Sequence, residues 1–245
     1  MTVTGEGLRF SLVVPIYNEE ENVATLLDEV EEVLVPHGPF EAVLVNDGSK
    51  DKSLERMQQW KRDHGADWLR IVCLKANSGQ SAAVYAGVEQ ARAEVVATLD
   101  GDMQNDPRDI PAMLERVERD EADAVVGVRR KRQDSFTRRM SSKIGNGVRN
   151  LVTGDKVTDA ACGIKVIKRR FFLRAPQFVG MHRFMATMVR YLGGRVEEKD
   201  VNHRPRAAGT AKYGIGNRAL RGLRDCFAVR WLRTRILRHE VSEEF

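Results

Sequence analysis

The chain has 245 residues, of which 42% are hydrophobic and 31% charged, and a formal net charge of +5. This length and apolar content suit one large α/β domain or two small ones, and they exclude a chain too polar to form a core. No stretch approaches the roughly 20 apolar residues that a bilayer-spanning helix needs, and the polar N-terminus does not resemble a signal peptide. The three cysteines form no metal-binding spacing, and Cys73 lies in an apolar run that predicts a buried thiol, so a reducing cytoplasm is expected.

Short β-branched runs alternate with helical patterns between residues 9 and 128. Strands are predicted at residues 9–14, 42–45, 69–74, 95–99 and 124–128. Asn18, followed by three glutamates, predicts the N-cap of a first helix, and Ser49 or Asp51 opens a second. Residues 79–91 form a third helix and Pro107 starts a fourth. This order predicts a doubly wound, mostly parallel sheet with helices on both faces.

Each of the first four predicted strands ends in a polar, turn-forming segment, at residues 15–19, 46–49, 75–80 and 100–102. In doubly wound sheets ligands bind at the carboxyl ends of the strands, near the point where the strand order reverses. Any one of these segments is an ordinary turn. Together on one edge they predict a nucleotide pocket.

The fourth strand ends in Asp100-Gly101-Asp102-Met103-Gln104. Two carboxylates and an amide oxygen are hard ligands suited to one Mg²⁺ or Mn²⁺ ion beside a diphosphate. An isolated Asp-x-Asp is more often a solvated turn, but the neighbouring polar strand ends favour the metal site.

Five segments of the chain carry a family resemblance. They are Val-Pro-Ile-Tyr-Asn-Glu at 14–19, Val-Asn-Asp-Gly-Ser-Lys-Asp at 45–51, Asn-Ser-Gly-Gln at 77–80, Leu-Asp-Gly-Asp-Met-Gln-Asn-Asp-Pro at 99–107 and His-Arg-Pro-Arg-Ala-Ala-Gly-Thr-Ala-Lys-Tyr at 203–213. In this order they resemble glycosyltransferase family 2, specifically its polyprenyl-phosphate, dolichyl-phosphate mannose synthase-like branch. The resemblance implies a Rossmann-like GT-A catalytic domain over residues 1–213. Residues 214–245 are predicted from their own pattern to form a basic amphipathic helix that faces a membrane or packs on the domain.

The same resemblance implies which residues bind the nucleotide-sugar donor. These are Pro15, Tyr17, Glu19, Asp47, Asn77, Gly79, Gln80, Asp100 and Asp102. Asp102 and Gln104 are the implied metal ligands, with Asp100 beside them on ribose, sugar or metal. The Mg²⁺ or Mn²⁺ ion would neutralise charge that develops on the departing nucleoside diphosphate.

The acceptor follows from a missing carboxylate. Family members that glycosylate a hydroxyl need a general base, yet residues 160–196 contain no Asp or Glu. A phosphate acceptor is already anionic and needs only positive groups to hold it. By resemblance the acceptor phosphate is held by Arg129, Arg138, Ser142, His182, Arg206 and Lys212. Of these, Arg129, Arg138, Ser142 and Arg206 join Asp100 and Asp102 as the implied catalytic set.

Asp159 is the nearest remaining candidate for a base, and a role in positioning the sugar or the loop is favoured for it.

The C-terminal region is basic, with ten Lys or Arg against four acidic residues in 201–245. Leu220, Leu223, Phe227 and Trp231 recur at helical spacing among arginines, which predicts either an interfacial helix on anionic lipid or a helix packed on the domain. The chain is therefore expected to be cytoplasmic and peripheral at the inner face of the membrane, bound directly or through a separate anchoring protein. No zinc-finger, RNP-type or heptad pattern points to nucleic acid, and the oligomeric state stays open.

The predicted function is a metal-dependent, inverting transfer of a sugar from a UDP- or GDP-linked donor to a polyprenyl phosphate. One alternative is a family 2 enzyme that glycosylates a hydroxyl of a glycan or lipid. The other is a catalytically idle, membrane-associated subunit that binds lipid phosphate.

Overall fold

The computed structural model describes residues 7–130, 136–205 and 216–237, without the side chains of 136–143 and 216–221. Seven strands are present in this part of the chain: β1 (Phe10–Ile16), β2 (Phe40–Asn46), β3 (Leu69–Cys73), β4 (Val95–Thr98), β5 (Ala124–Val128), β6 (Lys165–Lys168) and β7 (Val196–Asp200). The helices are α1 (Val23–Leu34), α2 (Ser53–His64), α3 (Gln80–Gln90), α4 (Ile110–Glu118), α5 (Phe136–Thr153), α6 (Arg169–Arg174), α7 (Met185–Tyr191) and α8 (Gly216–Leu232).

The strands form one sheet in the order β3-β2-β1-β4-β6-β5-β7. All neighbouring pairs are parallel except those of β6, which runs antiparallel to both β4 and β5. Because β6 is reversed, it starts at the edge where β4 and β5 end. The strand order reverses between β1 and β4, so this carboxyl edge is where a ligand is expected.

Two apolar layers cover the sheet, one on each face. Leu12 and Val14 of β1 pack with buried residues of α1, α2 and α4. Val13 points to the opposite face and packs with α3, α6, α7 and α8. Because both faces are covered, β1 and β2 are almost entirely buried, as expected for parallel strands. The predicted fold class, a single-domain, doubly wound, mostly parallel α/β structure, is confirmed.

Two helix starts differ from the sequence prediction. Asn18 is not an N-cap: it has a positive φ of 50°, and α1 begins only at Val23. The Asn18 side chain instead accepts a hydrogen bond from the Lys50 N–H, which joins the turns after β1 and β2. The second helix begins at Ser53, because the Asp51 carboxylate binds the Ser53 N–H and hydroxyl in the preceding turn.

The cysteine prediction is also wrong at one position. Cys73 is exposed, because β3 is an edge strand and Cys73 is its last residue, whereas Cys162 and Cys226 are buried.

The C-terminal helix α8 is present, and one of its faces packs on the domain through Cys226 and Val229. The predicted apolar stripe is a different face: Leu223, Phe227 and Trp231 are 38%, 58% and 59% exposed. The proposed boundary between residues 213 and 214 and the side chain of Leu220 lie outside the described residues. Among the helices that the structure describes, none combines the length and apolarity that crossing a bilayer requires.

Candidate active site

The turns that follow the first three strands meet at the carboxyl edge of the sheet. The Asn18 N–H donates to Ser49 Oγ at 3.0 Å, which ties the end of β1 to the end of β2. Gly48 has a φ of 65°, and a Cβ there would lie 2.6 Å from the Asn77 nitrogen, so only glycine allows the turns after β2 and β3 to approach so closely. The polar strand ends predicted to form one pocket therefore do lie together.

Asp47 organises the loop before α3. Its buried carboxylate accepts hydrogen bonds from the Ser78 N–H at 2.6 Å, the Gly79 N–H at 2.9 Å and Asn77 Nδ2 at 3.1 Å. The structure thus brings together three of the predicted donor residues, Asp47, Asn77 and Gly79. Contact of Asp47 with the nucleotide stays a prediction.

Asp100 lies at the centre of the edge, just beyond β4. Gln80 Nε2 at the start of α3 donates to Asp100 Oδ1 at 2.8 Å, and Asn105 Nδ2 donates to Asp100 Oδ2 at 3.3 Å. A Cβ on Gly163 would overlap the Asp100 carboxylate, so the loop before β6 closes over this side chain. Burial and the neighbouring charge of Asp102 raise the pKa of Asp100.

The two predicted metal ligands flank a strained residue. Met103 is held in the left-handed region with a φ of 63°, while the Gln104 N–H donates to Asp102 Oδ1 at 3.2 Å. A non-glycine residue in this conformation costs about 1 kcal/mol or more, and such strain clusters at functional sites. The Met103 side chain is buried, which stabilises the turn that orders Asp102 and Gln104.

The side chains of this turn fit a divalent cation that would be bound partly by the protein and partly by the phosphate oxygens of a diphosphate. Asn105 Oδ1 is a buried amide oxygen without a hydrogen-bond partner, next to Asp100. Within the described residues no group of three or more His, Cys, Asp or Glu side chains is arranged to hold an ion alone. Mg²⁺ typically binds to one or two carboxylates plus substrate phosphates, which matches this arrangement.

Arg129, which directly follows β5, forms an ion pair with Asp159 in the loop before β6. Arg129 Nε donates to Asp159 Oδ2 at 2.7 Å and Nη2 donates to Oδ1 at 2.9 Å; Asp159 is buried, and the Arg129 side chain is only 11% exposed. Burial lowers the pKa of Arg129, but the hydrogen bonds and charge of Asp159 outweigh it and the net shift is upward. Asp159 therefore fixes the arginine that was predicted to bind the acceptor phosphate.

Lys165, the first residue of β6, is a buried lysine that the sequence does not single out. It lies opposite Thr98 in the sheet, and its Nζ donates to the Cys162 carbonyl. Burial lowers the pKa of Lys165, opposed by the nearby charges of Asp100 and Asp159. The only sequence signal was a lysine at the start of a short β-branched run.

His182 lies next to the start of α3, close to the predicted donor residue Gln80. Its Nδ1 is 2.7 Å from Ser81 Oγ, and the same hydroxyl accepts a hydrogen bond from the Gly180 N–H at 2.8 Å. Ser81 follows Gln80, which contacts Asp100. The structure therefore brings His182 close to the first turn of α3, while its predicted contact with the acceptor phosphate stays a prediction.

The remaining predicted residues are only partly placed. Pro15, Tyr17 and Glu19 lie at the end of β1 and in the turn after it, where Glu19 Oε2 accepts from Asn22 Nδ2 at 2.7 Å. Arg138 and Ser142 lie on α5, but their side chains are outside the described residues, as are Arg206 and Lys212 entirely.

A family model for glycosyl transferase family 2 matches residues 11–174, more than half of the chain. The chain belongs to this family. The matched span of this family 2 glycosyltransferase contains β1 to β6, and with them Asp47, Asp100, Asp102, Arg129 and Asp159.

Two relatives identify the branch of the family. The chain is 39% identical over 229 residues to a dodecaprenyl-phosphate galacturonate synthase from Rhizobium johnstonii, covering 91% of this chain and 67% of that protein. It is 34% identical over 206 residues to an undecaprenyl-phosphate 4-deoxy-4-formamido-L-arabinose transferase from Pectobacterium atrosepticum, covering 84% of this chain and 62% of that protein. The expected similarity to polyprenyl-phosphate glycosyltransferases is confirmed, and the chain spans about two thirds of their length or less.

Solved structures support the fold. Glucosyl-3-phosphoglycerate synthase from Mycobacterium tuberculosis, in complex with Mn²⁺, UDP and glucosyl-3-phosphoglycerate, gives a TM-score of 0.67 at 16% identity over 95% of this chain and 81% of that one. A mannosyltransferase from Pyrobaculum calidifontis, in complex with GDP-mannose and Mn²⁺, gives a TM-score of 0.60 at 19% identity over 80% and 56%.

Proposed function

We propose that the chain transfers a sugar from a nucleoside diphosphate donor to a polyprenyl phosphate, with inversion at the anomeric carbon. The observation that carries this proposal is the Arg129–Asp159 ion pair. Asp159 was the nearest candidate for a general base, and both of its carboxylate oxygens bind the Arg129 guanidinium. A carboxylate engaged in this way is poorly suited to accept a proton from a hydroxyl, whereas an acceptor phosphate already carries an anionic oxygen and needs no base.

The donor and a divalent cation are assigned to the ends of β1 to β4. Asp102 and Gln104 would hold Mg²⁺ or Mn²⁺, which stabilises the negative charge on the leaving nucleoside diphosphate when bound. Gln80 and Asn105 each donate to one oxygen of the Asp100 carboxylate and so hold it in place two residues before Asp102. The names of the two relatives, which refer to transfer of galacturonate and of 4-deoxy-4-formamido-L-arabinose, support a prenyl-phosphate acceptor but leave the sugar to be determined.

Access to a prenyl acceptor requires contact with a membrane, and two exposed apolar stripes are suited to it. One consists of Leu223, Phe227 and Trp231 on α8, and the other of Ile144, Val148 and Leu151 on α5. Arg230 Nη1 on α8 donates to the Val152 carbonyl on α5 at 2.9 Å. The stripe residues Trp231 and Leu151 are the sequence neighbours of these two contacting residues.

Arginines are frequent in the sequence of α8 and just beyond it, which favours an anionic surface. We place the chain at the inner face of the membrane, bound directly or through a separate anchoring protein.

The proposal is tested by a transfer assay. Nucleotide sugars linked to UDP or GDP are first screened by thermal shift with Mn²⁺, because a ligand at about 100 times its Kd stabilises the folded state by about 2.7 kcal/mol. The donor that binds is then offered a short-chain prenyl phosphate or the matching prenyl alcohol in detergent micelles. We expect product from the phosphate alone, with inverted anomeric configuration by NMR, loss of activity with EDTA and recovery with Mn²⁺ or Mg²⁺.

Two results would contradict it. Transfer to the alcohol at a comparable rate would favour the hydroxyl-glycosylating alternative. Binding of prenyl phosphate without binding or turnover of any nucleotide sugar would favour the idle lipid-phosphate-binding subunit.

A further inference from the structure

The segment after β7 packs against the loop that carries the predicted metal ligand Gln104. The Arg204 N–H donates to the Gln104 carbonyl at 2.9 Å, and His203 forms an antiparallel bridge with Asn105. Asn202 adds a hydrogen bond from its N–H to Asp109 Oδ2 at 2.8 Å. Residues 202–204 therefore extend along the loop directly after the Asp-x-Asp turn.

The side chain of Arg204 joins this segment to two further elements. Its Nη2 lies 2.7 Å from Asp106 Oδ2, and its Nη1 donates to both carboxylate oxygens of Glu29 on α1, at 2.8 and 2.9 Å. Burial raises the pKa of Asp106, but the hydrogen bonds and charges of Arg204 and Arg108 together outweigh it, and the net shift is downward. Arg204 is therefore a clamp between α1, the 104–106 loop and the segment after β7.

The clamp lies between the two predicted substrate sites. On one side, Asn105 contacts the Asp100 carboxylate and Gln104 is a predicted metal ligand. On the other side, Arg204 stands two positions before Arg206, a predicted ligand of the acceptor phosphate that lies outside the described residues. No other function assigned above uses Arg204.

We propose that Arg204 is a positioning residue that couples occupancy of the donor and metal site to binding of the acceptor phosphate. This inference rests on the proposed function. With Arg204 in place, the 104–106 loop and residues 202–204 are held together, so binding at the predicted donor and metal site would act on the residues that directly precede Arg206 in sequence. Because such coupling is reciprocal, bound acceptor also strengthens nucleotide binding.

The test measures that coupling directly. The Kd of the preferred nucleoside diphosphate with Mn²⁺ is determined by calorimetry, with and without a saturating short-chain prenyl phosphate. For the unmodified chain we expect prenyl phosphate to lower this Kd at least about 5-fold, the lower range of allosteric coupling. In R204M the two Kd values should agree within about twofold, and R204K, which keeps a charge but not the fork that binds two carboxylates, should fall between.

R108M is the matched control. Arg108 also approaches Asp106, at 3.5 Å, and pairs with Glu32, but the structure records no contact of its side chain with residues 202–205. R108M should keep the coupling. Should R204M fail to fold, D106N replaces it, because D106N removes one of the two ion pairs and leaves Glu29 in place; it should reduce the ratio at least about twofold.

The outcomes separate the two proposals. A purely structural role of Arg204 would lower the melting temperature of R204M and leave the ratio of Kd values unchanged, which overturns the inference. An unmodified chain that binds both ligands without coupling overturns it as well. An unmodified chain that binds no prenyl phosphate overturns the proposed function itself.

Discussion

Asp159 binds the guanidinium of Arg129 through both carboxylate oxygens, at 2.7 and 2.9 Å, although 30 positions separate the two residues in sequence. The pair joins the end of β5 to the loop before β6. This contact fits the positioning role predicted for Asp159 and supports the proposal that the reaction uses no general base.

Replacing Asp159 with Asn tests this role. Breaking a buried ion pair costs about 3–5 kcal/mol, so D159N should be markedly less stable in denaturant unfolding. Transfer should fall mainly through a higher KM for the prenyl phosphate, because Arg129 loses its orientation. D200N is the control, since it breaks the exposed Arg130–Asp200 pair, worth about 1 kcal/mol at most. A D159N enzyme with an unchanged acceptor KM, and with kcat lost together with its dependence on pH, would instead identify Asp159 as the base.

Asp102 should matter for catalysis far more than for folding. In D102N we expect kcat to fall about 100-fold or more, because a ligand of the charge-neutralising cation is lost. The melting temperature without ligands should stay close to that of the unmodified chain, and Mn²⁺ with nucleotide should no longer raise it. D63N, which alters an exposed carboxylate on α2, should behave like the unmodified chain in both measurements. Near-normal turnover of D102N with an unchanged metal requirement would exclude Asp102 as a ligand.

Gly163 tests how tightly the loop before β6 holds Asp100. The added methyl group of G163A would overlap the Asp100 carboxylate, so the side chain or the loop must move. We expect the Mn²⁺ concentration for half-maximal activity to rise about tenfold, measured by metal titration of the transfer rate. G147A on α5 is the control: its methyl group meets no atom within 4 Å, and helical Gly to Ala changes stabilise by up to about 1 kcal/mol. Equal metal requirements for the two variants would show that Asp100 tolerates displacement.

Asp123 should contribute to the loss of folding stability in acid. Burial by itself raises the pKa of Asp123. The hydrogen bonds from the Arg195 N–H and from Lys168, with the charge of Lys168, outweigh this effect and bring the pKa down to about 2. Because the folded-state pKa lies below the unfolded value, this stabilisation is present above about pH 4 and is lost as the pH falls towards 2. Unfolding free energies measured over this range should show D123N about 2 kcal/mol less stable near neutral pH, with the difference shrinking in acid. A difference that is independent of pH would contradict this assignment.

The exposed stripe on α8 should carry lipid binding. Replacing Phe227 and Trp231 together with Ser should reduce flotation with anionic vesicles several-fold, while the isolated exposed residues Val35 and Val179 serve as controls when changed to Ser. Added salt should weaken binding of the unmodified chain, because arginines contribute. Unchanged flotation of the double variant would move the binding surface elsewhere or require a separate anchoring protein.

The sequence predicted the fold class and the meeting of the polar strand ends at one edge, because strand ends and short motifs are local signals. Strands β6 and β7 were missed: β6 has only four residues with a lysine at each end, and β7 reads Val-Glu-Glu-Lys-Asp, since it is a largely solvated edge strand. Asn18 was misassigned because its side chain serves a neighbouring turn rather than a helix.

Long-range pairing explains the remaining gap. The partners of Arg129 and Arg204 are 30 and more positions away, and no periodicity reveals them. Lys165 was overlooked for a related reason, since a buried lysine is stabilised by charges that only the folded chain brings near.

The reversed direction of β6 has a consequence for how a bilayer could influence the reaction. The segment that contains α5 leaves the carboxyl edge of the sheet after Arg129 and returns to the same edge at Asp159. The exposed apolar face of α5 is therefore connected to the candidate site at both ends of its segment. Contact of α5 with lipid would then act on both ends of this segment together. Binding of α5 to a membrane would then act directly on Arg129, the arginine predicted to hold the acceptor phosphate.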